Sequence, residues 1–358
     1  MSAARRAWIA EAIRRLEADF ARSADTHLLR LEFPGLPGIR CYFKDESIHP
    51  TGSLKHRLAR SLFLHALCNG WIGAGQTVLD ASSGSTAISE AYFARLLDLP
   101  YVAVMPASTA PRKIREIEAL GGRCELVDDP GAIEARAEAL AHAIGAHHLD
   151  QFGNAERATD WRGNNNIAES IIEQMRLEPD PEPAWIVCGV GTGGTSATLG
   201  RYLRYRKLAT QLCVAEPAGA AFARAWPTRD RAIAGARCSL VEGIGRPRVE
   251  PSFVFEVVDD VIEVPDAASC AGAWLLHELT GRRFGGSSGT NLVAMLQLAA
   301  RLRESGAGGS LVTLLCDRGE RYEDTVFDRT WLRAHGVDLD PWLAALRATL
   351  ASGRCDWA

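Results

Sequence analysis

Residues 77–106 read TVLDASSGSTAISEAYFARLLDLPYVAVMP. The stretch opens on a strand-like apolar run, TVLDA (77–81), and passes a Ser/Gly turn. It continues as the helix-length AISEAYFARLLDL (87–99) and closes on a second apolar run, YVAVMP (101–106). Strand, helix and strand in so short a span form a crossover unit, and such units build parallel sheets of one hand. The alternation extends in both directions. Upstream lie CYFKDE (41–46) and the helical SLKHRLARSLFLHALCNG (53–70); downstream come APRKIREIEALGG (110–122), RCELVD (123–128) and GAIEARAEALAHAIG (131–145). Past residue 155 it resumes with NNNIAESIIEQMRL (164–177), AWIVCGV (184–190), TSATLGRYLRYRK (195–207) and QLCVAEP (211–217). Two further helices, ASCAGAWLLHELTG (268–281) and TNLVAMLQLAARLRES (290–305), precede the strand SLVTLLCD (310–317) and a helical tail. The expected fold is α/β with open, doubly wound parallel sheets.

A length of 358 residues suits about two domains, and 47% hydrophobic residues supply their cores. The net charge of −4 leaves no electrostatic footprint for nucleic acid or an acidic membrane surface. Nine cysteines are dispersed without a CxxC pair, which reads as reduced, buried thiols rather than a disulfide framework. The nine histidines include no HExxH, so no metal site is expected; the doublet His147-His148 reads as a solvated loop. The N-terminus is amphipathic and carries acids, unlike a signal or transit peptide, and no run approaches a membrane span. A cytoplasmic protein is expected. Only four of the 40 basic residues are lysine (Lys44, Lys55, Lys113, Lys207), which draws attention to each amine.

Ligands of such sheets bind beyond the carboxyl ends of strands, where helix N-termini point. The chemically loaded segments should therefore be strand-to-helix turns, and four such turns carry chemistry. In the first, PTGSLKHR (50–57), Lys55 opens an amphipathic helix, whose dipole and partial burial favour a nucleophilic amine. A solvated lysine in a first helical turn is the plain alternative. The second, SSGSTA (82–87), offers hydroxyls and backbone N–H groups to a carboxylate or phosphate, or a simple helix cap. The third, GVGTGGT (189–195), is glycine-rich after an apolar strand and suits a phosphate. Gly189, Gly191 and Gly194 also satisfy GxGxxG, and Glu216 stands where a ribose-binding acid belongs, so a nicotinamide oxidoreductase is a rival reading. The fourth, GGSSGTN (285–291), presents a serine to a heteroaromatic nitrogen or merely caps its helix. A catalytically silent binding protein is the third class, and Lys55 argues against it.

In this order and at these separations the four turns resemble fold-type II pyridoxal-phosphate enzymes, above all the cysteine synthase and cystathionine β-synthase group. The likeness runs from about residue 40 to residue 325. It implies two open parallel-sheet domains of the tryptophan synthase β type, with the cofactor in the cleft between them. The expected division is 1–44 with 155–358 as a large phosphate-binding domain, and 45–154 as a small substrate-binding domain. By position, Lys55 would hold the cofactor covalently, and Gly191, Thr192, Gly193, Gly194 and Thr195 would bind its phosphate. Ser287 would face the pyridine nitrogen. Ser82, Ser83, Gly84 and Thr86 would bind the substrate carboxylate, joined by Gln151, with Gly243 in the loop near the substrate. Ser85 stands where the family has the asparagine that contacts the ring hydroxyl, and serine has a shorter reach.

The segments ATDWRGNNN (158–166) and EGIGRPRVEPSF (242–253) resemble a bacterial subgroup of L-cysteine desulfhydrases. That resemblance implies β-elimination of L-cysteine to hydrogen sulfide, pyruvate and ammonia by a cytoplasmic homodimer. Cysteine synthesis from an activated serine is the alternative. Arg246 and Arg248, where the synthases have small residues, either hold the loop closed or lie solvated.

Overall fold

The computed structural model describes residues 1–358 except Ser83, Cys238 and Ala358. The chain runs α1 (Ala3–Ala21), β1 (His27–Leu31), β2 (Ile39–Asp45), α2 (Lys55–Cys68), β3 (Val78–Ala81) and α3 (Ser85–Leu96). It continues with β4 (Tyr101–Pro106), α4 (Pro111–Ala119), β5 (Arg123–Val127), α5 (Ile133–Ile144), β6 (His147–His148) and α6 (Gln151–Ala158). Next come α7 (Ile167–Met175), β7 (Trp185–Gly189), α8 (Gly194–Arg206), β8 (Gln211–Pro217), α9 (Ala221–Ala225) and β9 (Asp260–Val264). The chain ends with α10 (Asp266–Thr280), α11 (Gly286–Glu304), β10 (Gly309–Leu315), α12 (Arg329–Ala334) and α13 (Leu339–Ser352). It divides into two compact units: Met1–Asp25 with His49–Asp160, and Thr26–Ile48 with Trp161–Ala358.

The first unit holds a four-stranded parallel sheet in the order β5-β4-β3-β6. Its central strand β4 is apolar on both faces because both faces are covered. Along β4, Tyr101, Ala103 and Met105 join a core with Leu16 of α1, Phe63 of α2 and Phe93 of α3. The intervening Val102 and Val104 pack with Leu79, Ala81 and the α5 residues Ala137 and Ala141. A period of two, read on two buried faces, leaves no polar position in VAVM.

Two expectations change here. The first 25 residues were grouped with the larger domain, yet Met1–Asp25 belongs to the smaller unit, because Ile9, Ala12 and Leu16 of α1 share its core. His147 and His148 are no solvated loop. They form β6, in register with Val78 and Leu79, and both are half-buried.

The second unit holds a six-stranded sheet in the order β1-β2-β10-β7-β8-β9, parallel except for the antiparallel edge pair β1–β2. Phe43, Val187, Cys213, Ile262 and Leu311 face one core with α10, α11 and α13. The tail is part of it: Leu339, Leu343, Leu346 and Leu350 recur at helical spacing and join that core, so α13 packs on α10. All eight described cysteines are free; five are buried, while Cys68, at the last residue of α2, is exposed. Among the described residues no helix is long and apolar enough to cross a membrane. Nor does any group of three or more His, Cys, Asp or Glu side chains there suit a metal ion.

Candidate active site

The first unit carries Lys55 and the 82–87 turn. Lys55 is the first residue of α2, half-buried, and its N–H donates to Ser53 Oγ at 3.0 Å. The turn that delivers it needs Gly52 at φ +70°, where the left-handed region suits glycine. The chain comes to Lys55 from β2, a strand of the other unit, so this turn does not follow a strand of its own sheet.

β3 ends at Ala81 and α3 begins at Ser85, so Ser82 and Gly84 form a tight strand-to-helix turn. Ser83 lies outside the described residues. The buried Ser82 hydroxyl accepts from Ala87 N at 3.3 Å, closing the turn on itself. Thr86 donates its hydroxyl hydrogen to Gln151 Oε1 at 2.9 Å, and Gln151 Nε2 donates to Ala81 O at 2.9 Å. Two expected carboxylate-binding side chains are thereby brought together. The bonding also sorts them: Thr86 has given its only hydrogen to Gln151, whereas the Gln151 amide keeps a second N–H. Among the described residues, no protein carbonyl accepts from the Thr86 N–H.

Beneath this turn lies a polar cluster that the linear sequence does not reveal. Asp80 Oδ2 accepts from Gln151 N at 3.3 Å, and Asp80 Oδ1 from Ala81 N at 2.8 Å. His148 Nε2 sits 3.1 Å from Asp80 Oδ1. Burial alone would lower the His148 pKa; the Asp80 hydrogen bond and charge turn the shift upward. Glu90, fully buried, accepts from Tyr101 Oη at 2.7 Å through Oε2, while its Oε1 has no hydrogen-bond partner among the described residues. Burial and then the Asp80 charge push the Glu90 pKa well above 4.5, which favours its protonated form. Its stability contribution is therefore full at pH below the unfolded value of 4.5 and falls as pH rises towards the folded value. Glu90→Gln keeps an acceptor for Tyr101 and a donor towards Asp80 but cannot ionise. Urea unfolding should find it about 1–3 kcal/mol more stable than the parent at pH 8 and nearly equal at pH 5. An equal gain at both pH values would contradict the raised Glu90 pKa.

The second unit carries the glycine-rich turn, Gly243 and Ser287. β7 ends at Gly189 and α8 starts at Gly194, with Gly193 as N-cap at φ +92°. Among the described residues, no backbone carbonyl accepts from the N–H groups of Gly191, Thr192 or Gly193. Those donors, the Thr195 hydroxyl and the helix N-terminus make a set that suits a phosphate. Gly193 needs to be glycine for a second reason. A Cβ there would lie 2.5 Å from Phe253 Cα and 2.7 Å from Phe253 N, so the missing side chain lets two protein segments meet.

Glu216 does not await a ribose. It is buried, accepts from Phe222 N at 3.2 Å and Ala223 N at 2.7 Å, and so caps α9. Burial pushes its pKa up to about 7 against those two hydrogen bonds. Arg246 and Arg248 converge on one buried carboxylate: their Nε atoms stand 2.6 and 3.2 Å from the two oxygens of Glu250. Neither arginine is merely solvated. The Gly245 N–H donates to Val190 O at 3.3 Å, tying this loop to the glycine-rich turn. Gly243 is exposed at φ +85°, with nothing within 4 Å of an added Cβ.

Ser287 lies in the first turn of α11, entered from α10 and not from a strand. It is buried, and among the described residues its hydroxyl has no hydrogen-bond partner. Ser288 differs, since its Oγ accepts from Cys316 N at 2.8 Å. A hydroxyl without a protein partner beside a spent one fits a contact to a heteroaromatic nitrogen.

A lysine at a helix start, a hydroxyl-rich turn, a glycine-rich turn and a buried serine are therefore all present. Over residues 22–317 the chain matches the family described as pyridoxal-phosphate dependent enzyme. It is 57% identical to an L-cysteine desulfhydrase of Mycobacterium tuberculosis, over 93% of this chain and 92% of that protein. It is 31% identical to the N-(2-amino-2-carboxyethyl)-L-glutamate synthase of Ralstonia nicotianae, over 87% and 86% of the two chains. The crystal structure of O-ureido-L-serine synthase superposes with a TM-score of 0.75 at 27% identity, covering 89% of this chain and 96% of that one. The family match spans both units, and the chain belongs to the pyridoxal-phosphate dependent enzymes.

Proposed function

We propose that this protein is an L-cysteine desulfhydrase, converting L-cysteine and water to hydrogen sulfide, pyruvate and ammonia. The observation that carries the reading is the identity to the mycobacterial L-cysteine desulfhydrase along nearly the whole of both chains. Pyridoxal phosphate, when bound, supplies an electron sink for a carbanion at the amino-acid Cα. The residues supply hold and orientation. Lys55 Nζ would hold the cofactor covalently, and its free amine would serve as general base for the Cα proton. The N–H groups of Gly191–Thr195 and the threonine hydroxyls hold the phosphate. Ser287 would face the ring nitrogen, and a serine, unlike an aspartate, would leave that nitrogen without a full charge, a setting that favours expulsion of the β-substituent. Ser85 contacts the ring hydroxyl.

Ser82, Ser83, Gly84, the Thr86 N–H and the Gln151 amide hold the substrate carboxylate and so orient the Cα–H bond. Gly243 leaves room beside the substrate. In this reading the larger unit grips the phosphate and the smaller unit the carboxylate. Arg246 and Arg248 act through Glu250 to shape the loop rather than on the substrate. A cytoplasmic homodimer is part of the proposal, and sedimentation equilibrium would read it as twice the chain mass of 38.8 kDa.

The deciding experiment is product analysis with L-cysteine alone, then with O-acetylserine and sulfide. Hydrogen sulfide, pyruvate and ammonia in equal amounts, at a kcat/KM above that for cysteine formation, is the expected result. Cysteine formation faster by a large factor would make the enzyme a synthase and defeat the elimination reading.

A further inference from the structure

Between the Lys55 turn and the Ser85 turn runs a line of three buried polar side chains: His56, Thr51 and Ser89. Ser89 Oγ lies 2.9 Å from the Ser85 carbonyl oxygen. Thr51 Oγ1 lies 2.9 Å from Ser89 Oγ and 3.2 Å from His56 Nδ1. Hydrogen counting gives this line a direction. A carbonyl oxygen only accepts, so Ser89 must spend its one hydrogen there; turned the other way, two bare oxygens would face each other at 2.9 Å. Ser89 Oγ then accepts from Thr51, and Thr51 has no hydrogen left for His56. The donor of that last bond must be His56 Nδ1–H.

The imidazole is held in place to make it. His49 stacks on it with centroids 5.0 Å apart and planes 25° from parallel. Tyr92 and Phe93 close around it at 5.3 and 4.7 Å. Such packing fixes the ring plane, and the bond at one nitrogen then sets which nitrogen carries the proton.

We propose that His56, Thr51 and Ser89 form a one-way hydrogen-bond relay that fixes the Nδ1–H tautomer of His56 and sets the spacing between the Lys55 turn and the Ser85 turn. Thr51 and Ser89 are then positioning residues, acting through groups that hold the cofactor; the inference rests on the roles proposed above for Lys55 and Ser85. α2 and α3 pack side by side, and the relay locks their first turns to each other as well as their apolar faces. A slip of the two turns would misplace the amine relative to the ring and lower the rate without loosening substrate binding.

The test is the pair of imidazole ¹⁵N shifts of His56 in histidine-labelled holoenzyme, assigned by their loss in His56→Gln. At a pH where the ring is neutral, the expected signal is a protonated Nδ1 and a bare Nε2. Ser89→Ala never touches His56, yet it frees the Thr51 hydrogen to turn towards Nδ1. It should shift the tautomer towards Nε2–H and lower kcat about tenfold at little-changed KM. Thr51→Ser keeps the hydroxyl and should keep the parent signal and rate. An Nε2–H ring in the parent, or a Ser89→Ala variant whose His56 signal or kcat stays at the parent value, overturns the relay. A cofactor label mapped to another lysine would instead defeat the reading beneath it and leave the tautomer as found.

Discussion

Lys55→Ala is expected to lose the visible absorbance of the bound cofactor and to fall in cysteine turnover by about 10⁴-fold or more, since one amine serves as tether and as base. Among the described lysines, Lys55 alone is the first residue of a helix. Lys113 is buried in α4, Lys44 is buried in β2 with its Nζ donating to Thr26 O at 2.8 Å and Gln174 Oε1 at 2.7 Å, and Lys207 ends α8. Borohydride reduction of the loaded enzyme, followed by peptide mapping, should place the label on Lys55. A label on Lys44, Lys113 or Lys207 would overturn the assignment. The variant should unfold in urea at nearly the parent midpoint, because a half-buried first-turn lysine contributes little to packing.

Gly193→Ala is the second large effect, and it should act on fold and ligand together. At φ +92° an alanine is strained, and its Cβ would meet the Phe253 backbone at 2.5–2.7 Å. That segment has little room to yield. Phe253 packs against Phe222 and Phe255, its N–H donates to Glu250 O at 3.0 Å, and Arg231 donates to the carbonyls of Glu250 and Phe253. Strain plus overpacking comes to about 2–5 kcal/mol lost in urea unfolding. Pyridoxal-phosphate affinity should weaken with it, because the N–H donors of the turn are displaced. An alanine variant with parent stability that binds the cofactor normally would show that the turn tolerates a side chain, against the geometry.

Much of the site was readable from the linear chain because its signals are local. A glycine-rich turn after an apolar strand, a hydroxyl-rich turn before a helix and a lysine behind Pro-Thr-Gly-Ser are each contiguous, and each constrains its own backbone. The central strands were readable for a related reason: YVAVM is buried on both faces and therefore apolar throughout. Edge strands carry no such mark. β1 and β5 alternate between exposed and half-buried positions, β6 is two histidines long, and β9 mixes acids with apolar residues.

The sequence by itself determined the parallel α/β class, the placement of four helix-entry turns and the kinship they announce, because these depend on the periodicity and composition of short segments. Tertiary structure alone decided which partner each polar group would find. It assigned α1 to the smaller unit through Leu16, turned Glu216 into a helix cap, gathered Arg246 and Arg248 on Glu250, and joined Asp80, Glu90 and His148 under Gln151. The physical reason is common to all of them. A buried charge or hydrogen bond must be satisfied, and composition does not say by whom: the partner is two to seven residues away for Arg248, Arg246 and Glu216 but about seventy away for Asp80, and packing makes the choice.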